Sequence, residues 1–170
     1  MRISRNFQEN AWKWMLVTTI LSCCLTESYG SLARGWGDHI KWRTYLDGLE
    51  EAKKSGKPIM LVIHKTWCGA CKALKPKFAE STEISALSNM FVMVNTEDEE
   101  EPRNKEFVPD GGYIPRIFFL DAFGNVQKDF YNEFGNQKFK YFYGDAESIA
   151  RSMKKAAAKM EGGLRVGDEL

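Results

Sequence analysis

The chain has no excess charge of either sign, few histidines, few cysteines and no long apolar run. Each shortage removes a class of function. Its 24 lysines and arginines are met by 23 aspartates and glutamates, so no field builds up that would draw nucleic acid or an anionic membrane surface. The two histidines are His39 and His64. Any Cys pair here would need two further thiolate or imidazole ligands to hold zinc, and none is offered nearby, so no metal site is expected. Four cysteines in 170 residues do not make a disulfide-stapled scaffold. The apolar stretch Trp14 to Leu25 falls well short of the ~20 residues that cross a bilayer.

That short stretch has another reading. Arg2, Arg5 and Lys13 give a positive leading region, and Ser28 and Gly30 supply the small residues that precede a cleavage point. Residues 1–30 therefore read as a secretory signal removed after Gly30, with a cut near Ser28 as the alternative, and the mature chain is expected to have no membrane span. Removal takes three basic and two acidic side chains and leaves a formally neutral chain. It also takes Cys23 and Cys24, so only Cys68 and Cys71 remain. A lone pair in a mature chain points to chemistry rather than to stapling. With 44% apolar residues, the remainder suits one domain over residues 31–163, followed by a tail of residues 164–170.

The pair sits at a predicted strand-to-helix corner. Pro58 to Ile63 is an unbroken apolar run, which reads as a strand buried on both faces. Beyond it, Cys71, Leu74 and Phe78 fall on one helical face. Cys68 then lies at the helix start, where unpaired N–H groups and roughly half a positive charge favour a thiolate. Thiols so placed can ionise as low as ~3.5 instead of about 8.5. Cys68 is expected to be the exposed nucleophile and Cys71 the covered resolving thiol.

Elsewhere, Asp38 is expected to cap a helix carrying Trp42, Tyr45, Leu46, Leu49 and Ala52, ended by Gly56 and Pro58. Pro76 should kink the helix after the cysteines, with helical sequence continuing over Glu80 to Ser88. Phe91 to Val94 reads as a second buried strand, joined to the first by a right-handed crossover. Glu97 to Glu101 reads as a solvated acidic loop, or alternatively as an acidic partner surface. Ile114–Pro115 opens a third strand, Ile117 to Leu120. Asp121 to Asn125 is a turn, with Val126 to Tyr131 pairing back antiparallel. The aromatic-rich stretch Phe134 to Tyr143 has no clear pattern. Asp145 caps a last helix with an apolar stripe of Ala146, Ile149, Ala150, Met153, Ala157 and Met160, closed by Gly162 and Gly163.

Trp67-Cys68-Gly69-Ala70-Cys71-Lys72 resembles the active-site signature of the thioredoxin superfamily, and Pro76 stands where that family carries a helix proline. Gly111-Gly112-Tyr113-Ile114-Pro115 resembles its cis-proline loop. From Gly37 to Ile40 and from Trp67 to Pro76 the wording is similar to small single-domain members of the endoplasmic reticulum lumen. The resemblance implies an α/β, thioredoxin-like fold, with a central mixed β-sheet flanked by helices. It implies thiol–disulfide exchange, with Cys68 attacking and Cys71 resolving, and with Trp67, Gly69, Ala70, Ile114 and Pro115 as supporting or substrate-facing residues. Ala70 tunes the pair neither strongly oxidising nor strongly reducing, so a potential of roughly −270 to −180 mV is expected. No bound cofactor is expected; glutathione is the expected redox partner, and proteins with thiols or disulfides the expected clients. One departure stands out. The family usually has a buried acid six residues before the first cysteine, and here that position is Val62, leaving Glu97 or Asp98 as candidates for its task. Anterior-gradient proteins also resemble the chain, act mainly by binding clients, and usually have serine at the second position. Non-catalytic client binding is therefore the alternative, which the presence of Cys71 disfavours.

The chain ends Gly167-Asp168-Glu169-Leu170, a variant of the Lys-Asp-Glu-Leu retrieval signal read by a receptor of the secretory pathway. With a signal peptide at the other end, the expected location is the endoplasmic reticulum lumen.

Overall fold

The computed structural model describes residues 32–165. Within them the chain runs β1 (Trp42–Arg43), α1 (Tyr45–Ser55), β2 (Ile59–His64), α2 (Gly69–Ala79), α3 (Thr82–Ser88), β3 (Val92–Glu97), β4 (Arg116–Leu120) and α4 (Ala146–Arg165). The signal segment and the retrieval tail expected from sequence lie outside the described residues.

β2 is apolar from Ile59 to Ile63 because it is covered on both faces, and every one of its residues is buried. The sheet order is β1-β3-β2-β4. β3 runs parallel to β2 with Met60 beside Met93 and His64 beside Glu97. β4 runs antiparallel on the other side, with Met60 beside Phe119. The sheet is therefore mixed and carries helices on both faces, as expected for a thioredoxin-like α/β fold.

The period of two along β2 divides the core. Met60 and Val62 join Leu74 and Phe78 of α2 and Ile149, Ala150 and Met153 of α4. Ile59, Leu61 and Ile63 pack instead with Ala52 of α1, Phe107, Phe118 and Tyr141. Full burial of a side chain such as Phe78 contributes about 1.5–3 kcal/mol, so α2 is clamped to the sheet by its own inner stripe.

Several local expectations are corrected. Trp42 is in β1, paired with Met93, and the cap of α1 is Thr44, whose side chain accepts from the Asp47 N–H. Asp38 lies in a turn before it. Helical spacing had drawn Trp42 into the helix, but a strand site on β3 buries its indole completely. Gly56 does end α1, with φ 72°. Pro76 lies inside α2; the break from α3 comes later, where Ser81 accepts from the Ile84 N–H and starts a separate helix. β3 continues through Asn95, Thr96 and Glu97, beyond the predicted Val94, because Asn95 and Thr96 are buried with their polar groups bonded. The Asp121 turn forms, its carboxylate accepting from the Phe123 and Asn125 N–H groups. Past it, only the single bridge Leu120–Val126 forms, and no fifth strand follows among the described residues. Tyr141 and Tyr143 tuck the aromatic-rich stretch back against the two core faces. Asp145 caps α4 through the Ser148 N–H at 2.8 Å. α4 runs through Gly162 and Gly163 to Arg165; glycine costs about 1 kcal/mol in a helix but does not forbid it.

Candidate active site

β2 delivers the chain to the upper edge of the sheet at His64, and Lys65-Thr66-Trp67 turns it into α2. The Cys68 N–H closes that turn on the Lys65 carbonyl at 3.2 Å. Cys68 is itself the N-cap of α2: its backbone is extended, and its Sγ accepts from the Cys71 N–H at 3.1 Å. A sulfur at a helix N-cap satisfies one of the orphan donors there, and the same donor favours negative charge on that sulfur once it is a thiolate. Cys68 and Cys71 are joined in a disulfide, with Cα atoms 5.3 Å apart.

The far wall of the site is the loop before β4. The Ile114–Pro115 peptide is cis, and the Ile114 carbonyl oxygen lies 3.6 Å from Cys68 Sγ. Four residues singled out from sequence, Cys68, Cys71, Ile114 and Pro115, are thus brought together from two distant segments. Trp67 stands beside them with 73% of its surface exposed. Gly69 and Ala70 lie on the open side, and a Cβ at Gly69 would meet nothing within 4 Å.

The exposure expected of Cys68 is corrected. In the disulfide it is only 5% exposed, against 0% for Cys71. The order of the two sulfurs is as expected, but the Ile114 carbonyl and the bonded Cys71 cover Cys68.

The acidic run is solvated at Glu99 and Glu100, as expected of a loop, but most of its carboxylates also have partners within the fold. It is an internal clamp between the two walls. Asp98 accepts from the Thr66 N–H at 2.9 Å and from its hydroxyl at 3.0 Å, and these bonds hold its carboxyl below the usual range. Lys65 Nζ donates to the Asp98 carbonyl and lies 3.1 Å from Glu101 Oε2. The other oxygen of Glu101 pairs with Arg116 Nη2, and Arg116 Nη1 donates to the Gly111 carbonyl at 3.3 Å. Arg116 is only 1% exposed, and burial pushes its guanidinium down to about 10. Arg34 holds Glu100 through two nitrogens, at 2.5 and 2.7 Å, which keeps the Glu100 carboxyl below its usual range. Glu99, paired loosely with Arg103, remains in solvent. Sequence reasoning missed Arg116. The available signal was a single cation between Pro115 and the apolar run Ile117 to Leu120, a place where an ion cannot sit without a partner.

Among the described residues no group of three or more His, Cys, Asp or Glu side chains could hold a metal, and no helix is long and apolar enough to cross a membrane.

Comparison with known proteins agrees with this geometry. The family described as thioredoxin-like matches residues 41–122. Anterior gradient protein 3 of Mus musculus is 41% identical over 128 residues, covering 74% of this chain and 76% of that protein. Anterior gradient protein 2 homolog of Homo sapiens is 39% identical over 127 residues, covering 74% and 71%. The chain belongs to the thioredoxin-like superfamily. Among solved structures, a thioredoxin from Thermus thermophilus superposes on this thioredoxin-like chain with a TM-score of 0.52 at 15% identity, covering 78% of this chain and 98% of that one. The DsbH oxidoreductase gives 0.51 at 20% identity, covering 72% and 88%. At such identities the two structures speak for the fold alone.

Val62, where the superfamily usually carries its buried acid, is fully buried among apolar neighbours. Of the two candidates for its task, Asp98 is turned toward Thr66. Glu97 instead places Oε1 3.5 Å from His64 Nδ1 and 3.6 Å from Lys75 Nζ.

Proposed function

We propose that this thioredoxin-like protein is a thiol–disulfide oxidoreductase of the endoplasmic reticulum lumen, acting on client proteins and exchanging electrons with glutathione. The observation that carries the reading is the Cys68–Cys71 disulfide at the N-terminus of α2, with Cys68 Sγ against the Ile114 carbonyl. A ring this small restrains little of the unfolded chain, so a purely structural role is a poor use of it. In the reducing direction, the Cys68 thiolate attacks a client disulfide, forms a mixed disulfide and expels one client thiolate. The Cys71 thiolate then attacks Cys68 Sγ, closes the Cys68–Cys71 bond and expels the second client thiolate. Two glutathione molecules return the pair to dithiol and leave as oxidised glutathione. Oxidation of a client runs the same steps backward. The backbone around Ile114 and Pro115 offers polar groups to an extended client segment, and exposed Trp67 offers an apolar ledge next to the reacting sulfur.

Three features of the sequence support the finer reading. The wording around Gly37 to Ile40 and Trp67 to Pro76 resembles thioredoxin domain-containing protein 12. The leader-like residues 1–30 and the final Gly167-Asp168-Glu169-Leu170 suit a retained lumenal protein that meets a retrieval receptor.

The test is asymmetric trapping. Cys71→Ser, lacking the resolver, accumulates covalent client adducts on non-reducing gels of cells whose thiols are blocked before lysis. Cys68→Ser accumulates far fewer, because Cys71 is covered and lacks the helix-terminal donor. Equal adducts from both variants refute the assignment of the two sulfurs. The similarity to anterior gradient proteins favours a second reading, a client-binding protein without turnover. No adducts from either variant, with clients still co-purifying, select that reading.

A further inference from the structure

The ladder between β2 and β4 ends at the pair Ile63 and Arg116. Beyond that pair both segments leave the sheet. Lys65 to Trp67 turns into α2, and Gly111 to Pro115 comes in from a loop. The gap between them nevertheless sets the Ile114 carbonyl oxygen 3.6 Å from Cys68 Sγ. Side chains have to hold that gap, and the bridge that does so is built on Glu101, in the segment after β3.

Glu101 gives one oxygen to each wall. Oε2 lies 3.1 Å from Lys65 Nζ, and Oε1 pairs with Arg116 Nη2. The Lys65 carbonyl in turn accepts from the Cys68 N–H at 3.2 Å, so this end of the bridge reaches the reacting residue within one turn. On the other side, Arg116 follows Pro115, and its Nη1 donates to the Gly111 carbonyl at 3.3 Å. Gly111 has φ 128°, a conformation that favours glycine. With 1% of its surface exposed, the guanidinium stays with its counter-ion, because leaving it would strand a buried charge. Two contacts then act on Cys68 in opposite senses. The Cys71 N–H, 3.1 Å from Sγ, favours a thiolate. The Ile114 carbonyl can accept from the reduced S–H but repels a thiolate. The first contact belongs to α2 alone, and the second depends on the loop. The ionisable side chains around Cys68 are Lys65, held by Glu101 and the Asp98 carbonyl, exposed Lys72 of α2, and from the loop Arg116 and Tyr113, the latter held by Asp110.

We propose that Glu101 and Arg116 are positioning residues for thiol–disulfide exchange: with Lys65 they hold the Ile114 carbonyl against Cys68, and so set how readily that thiol ionises and how a client lies on the loop. This rests on the oxidoreductase reading above. Cutting the bridge at any of its three residues lets the carbonyl withdraw. The thiolate loses a repulsion and keeps the Cys71 N–H, so Cys68 ionises at lower pH. The client meanwhile loses the fixed backbone on which it docks, and turnover falls although more thiolate is present.

The experiment reads Cys68 ionisation from the pH dependence of its alkylation by iodoacetamide, followed by mass spectrometry in chains that carry Cys71→Ser. Lys65→Met and Arg116→Met each remove a cation, and Glu101→Leu removes an anion. Acting through space alone, the first two raise the midpoint of alkylation and the third lowers it. The bridge lowers it in all three. Glu101→Leu combined with Arg116→Met replaces the ion pair by an apolar pair and keeps most of the stability, yet still frees Lys65, so its midpoint also falls. With both cysteines present, this double variant loses about tenfold in kcat/KM toward a disulfide-bridged peptide, with glutathione as reductant. A purely structural role returns midpoint and turnover to wild type along with stability. Shifts that follow the sign of the removed charge overturn the inference, as does a double variant with the wild-type midpoint and turnover. If Arg116→Met or Glu101→Leu alone does not fold, Lys65→Met, altered at a partly exposed side chain, and the double variant decide. A wild type that reduces no bridged peptide overturns the oxidoreductase reading and this role with it. Unshifted midpoints with normal turnover overturn the inference alone.

Discussion

Removing the Glu101 carboxylate should show how much of the site's frame rests on one buried cation. Arg116 is 1% exposed, its Nε has no partner, and Gly111 O accepts only one of its remaining bonds. With its guanidinium pushed down to about 10, the side chain is still protonated at neutral pH. Glu101→Ala therefore leaves a charge in the core without a counter-ion. Breaking a buried pair from one side costs about 3–5 kcal/mol. The lower end applies here, since the Glu101 side chain is 21% exposed and water can enter the vacated space. A loss of about 3 kcal/mol lowers the melting temperature by roughly 6–12 °C in a domain of this size. The assay is urea unfolding with the slope held constant, so that a shifted midpoint reports stability alone. Glu101→Leu combined with Arg116→Met should recover most of the loss, to within about 1 kcal/mol of wild type, because a well-packed apolar pair replaces the ion pair. A single-variant cost below about 0.5 kcal/mol, as for a surface ion pair, would refute the reasoning and return Glu101 to the solvated loop.

Gly48→Ala should destabilise by about 1–3 kcal/mol, because the new methyl would sit 2.3 Å from Val94 Cγ2 and α1 would have to lift from β3; thermal unfolding measures it, and a neutral result would mean α1 is loosely docked. Stability should also fall on acidification from pH 7 to pH 5. The folded imidazole of His64 titrates below its ordinary 6.5, so the unfolded chain takes up more protons in that window. His64→Gln should flatten this part of the profile, leaving the further loss below about pH 4.5, where Asp98 and Glu100 protonate more readily in the unfolded chain. Deleting Asp168, Glu169 and Leu170 should send the protein into the medium of secretory cells, and equal retention of truncated and intact chains would remove the tail from the argument.

The sequence by itself determined the parts of this protein whose physics is local. An apolar run of six residues ending in a Trp-Cys-Gly-Ala-Cys-Lys corner dictates a buried strand feeding a helix N-terminus, and the i, i+3, i+7 spacing of Cys71, Leu74 and Phe78 dictates which side of that helix is covered. Turn chemistry at Asp121 and Gly56 and the cap at Asp145 were legible for the same reason, since each is a bond between near neighbours. Tertiary structure decided what depends on distant partners. Trp42 has helical spacing, yet a vacant edge beside β3 draws it into a strand. Val126 to Tyr131 has strand-like residues, yet pairing stops after one bridge. The five acids from Glu97 to Glu101 look like a solvated loop until Arg34, Lys65, Lys75, Arg116 and Thr66 arrive from four other segments and neutralise or bond all but Glu99. His64 merely follows an apolar run in the sequence; only the fold sets Asn95 against one nitrogen and Glu97 against the other. Charges and buried polar atoms take their meaning from groups far along the chain, because desolvation makes an unpaired one too costly to keep. Apolar periodicity and caps carry theirs within a turn or two.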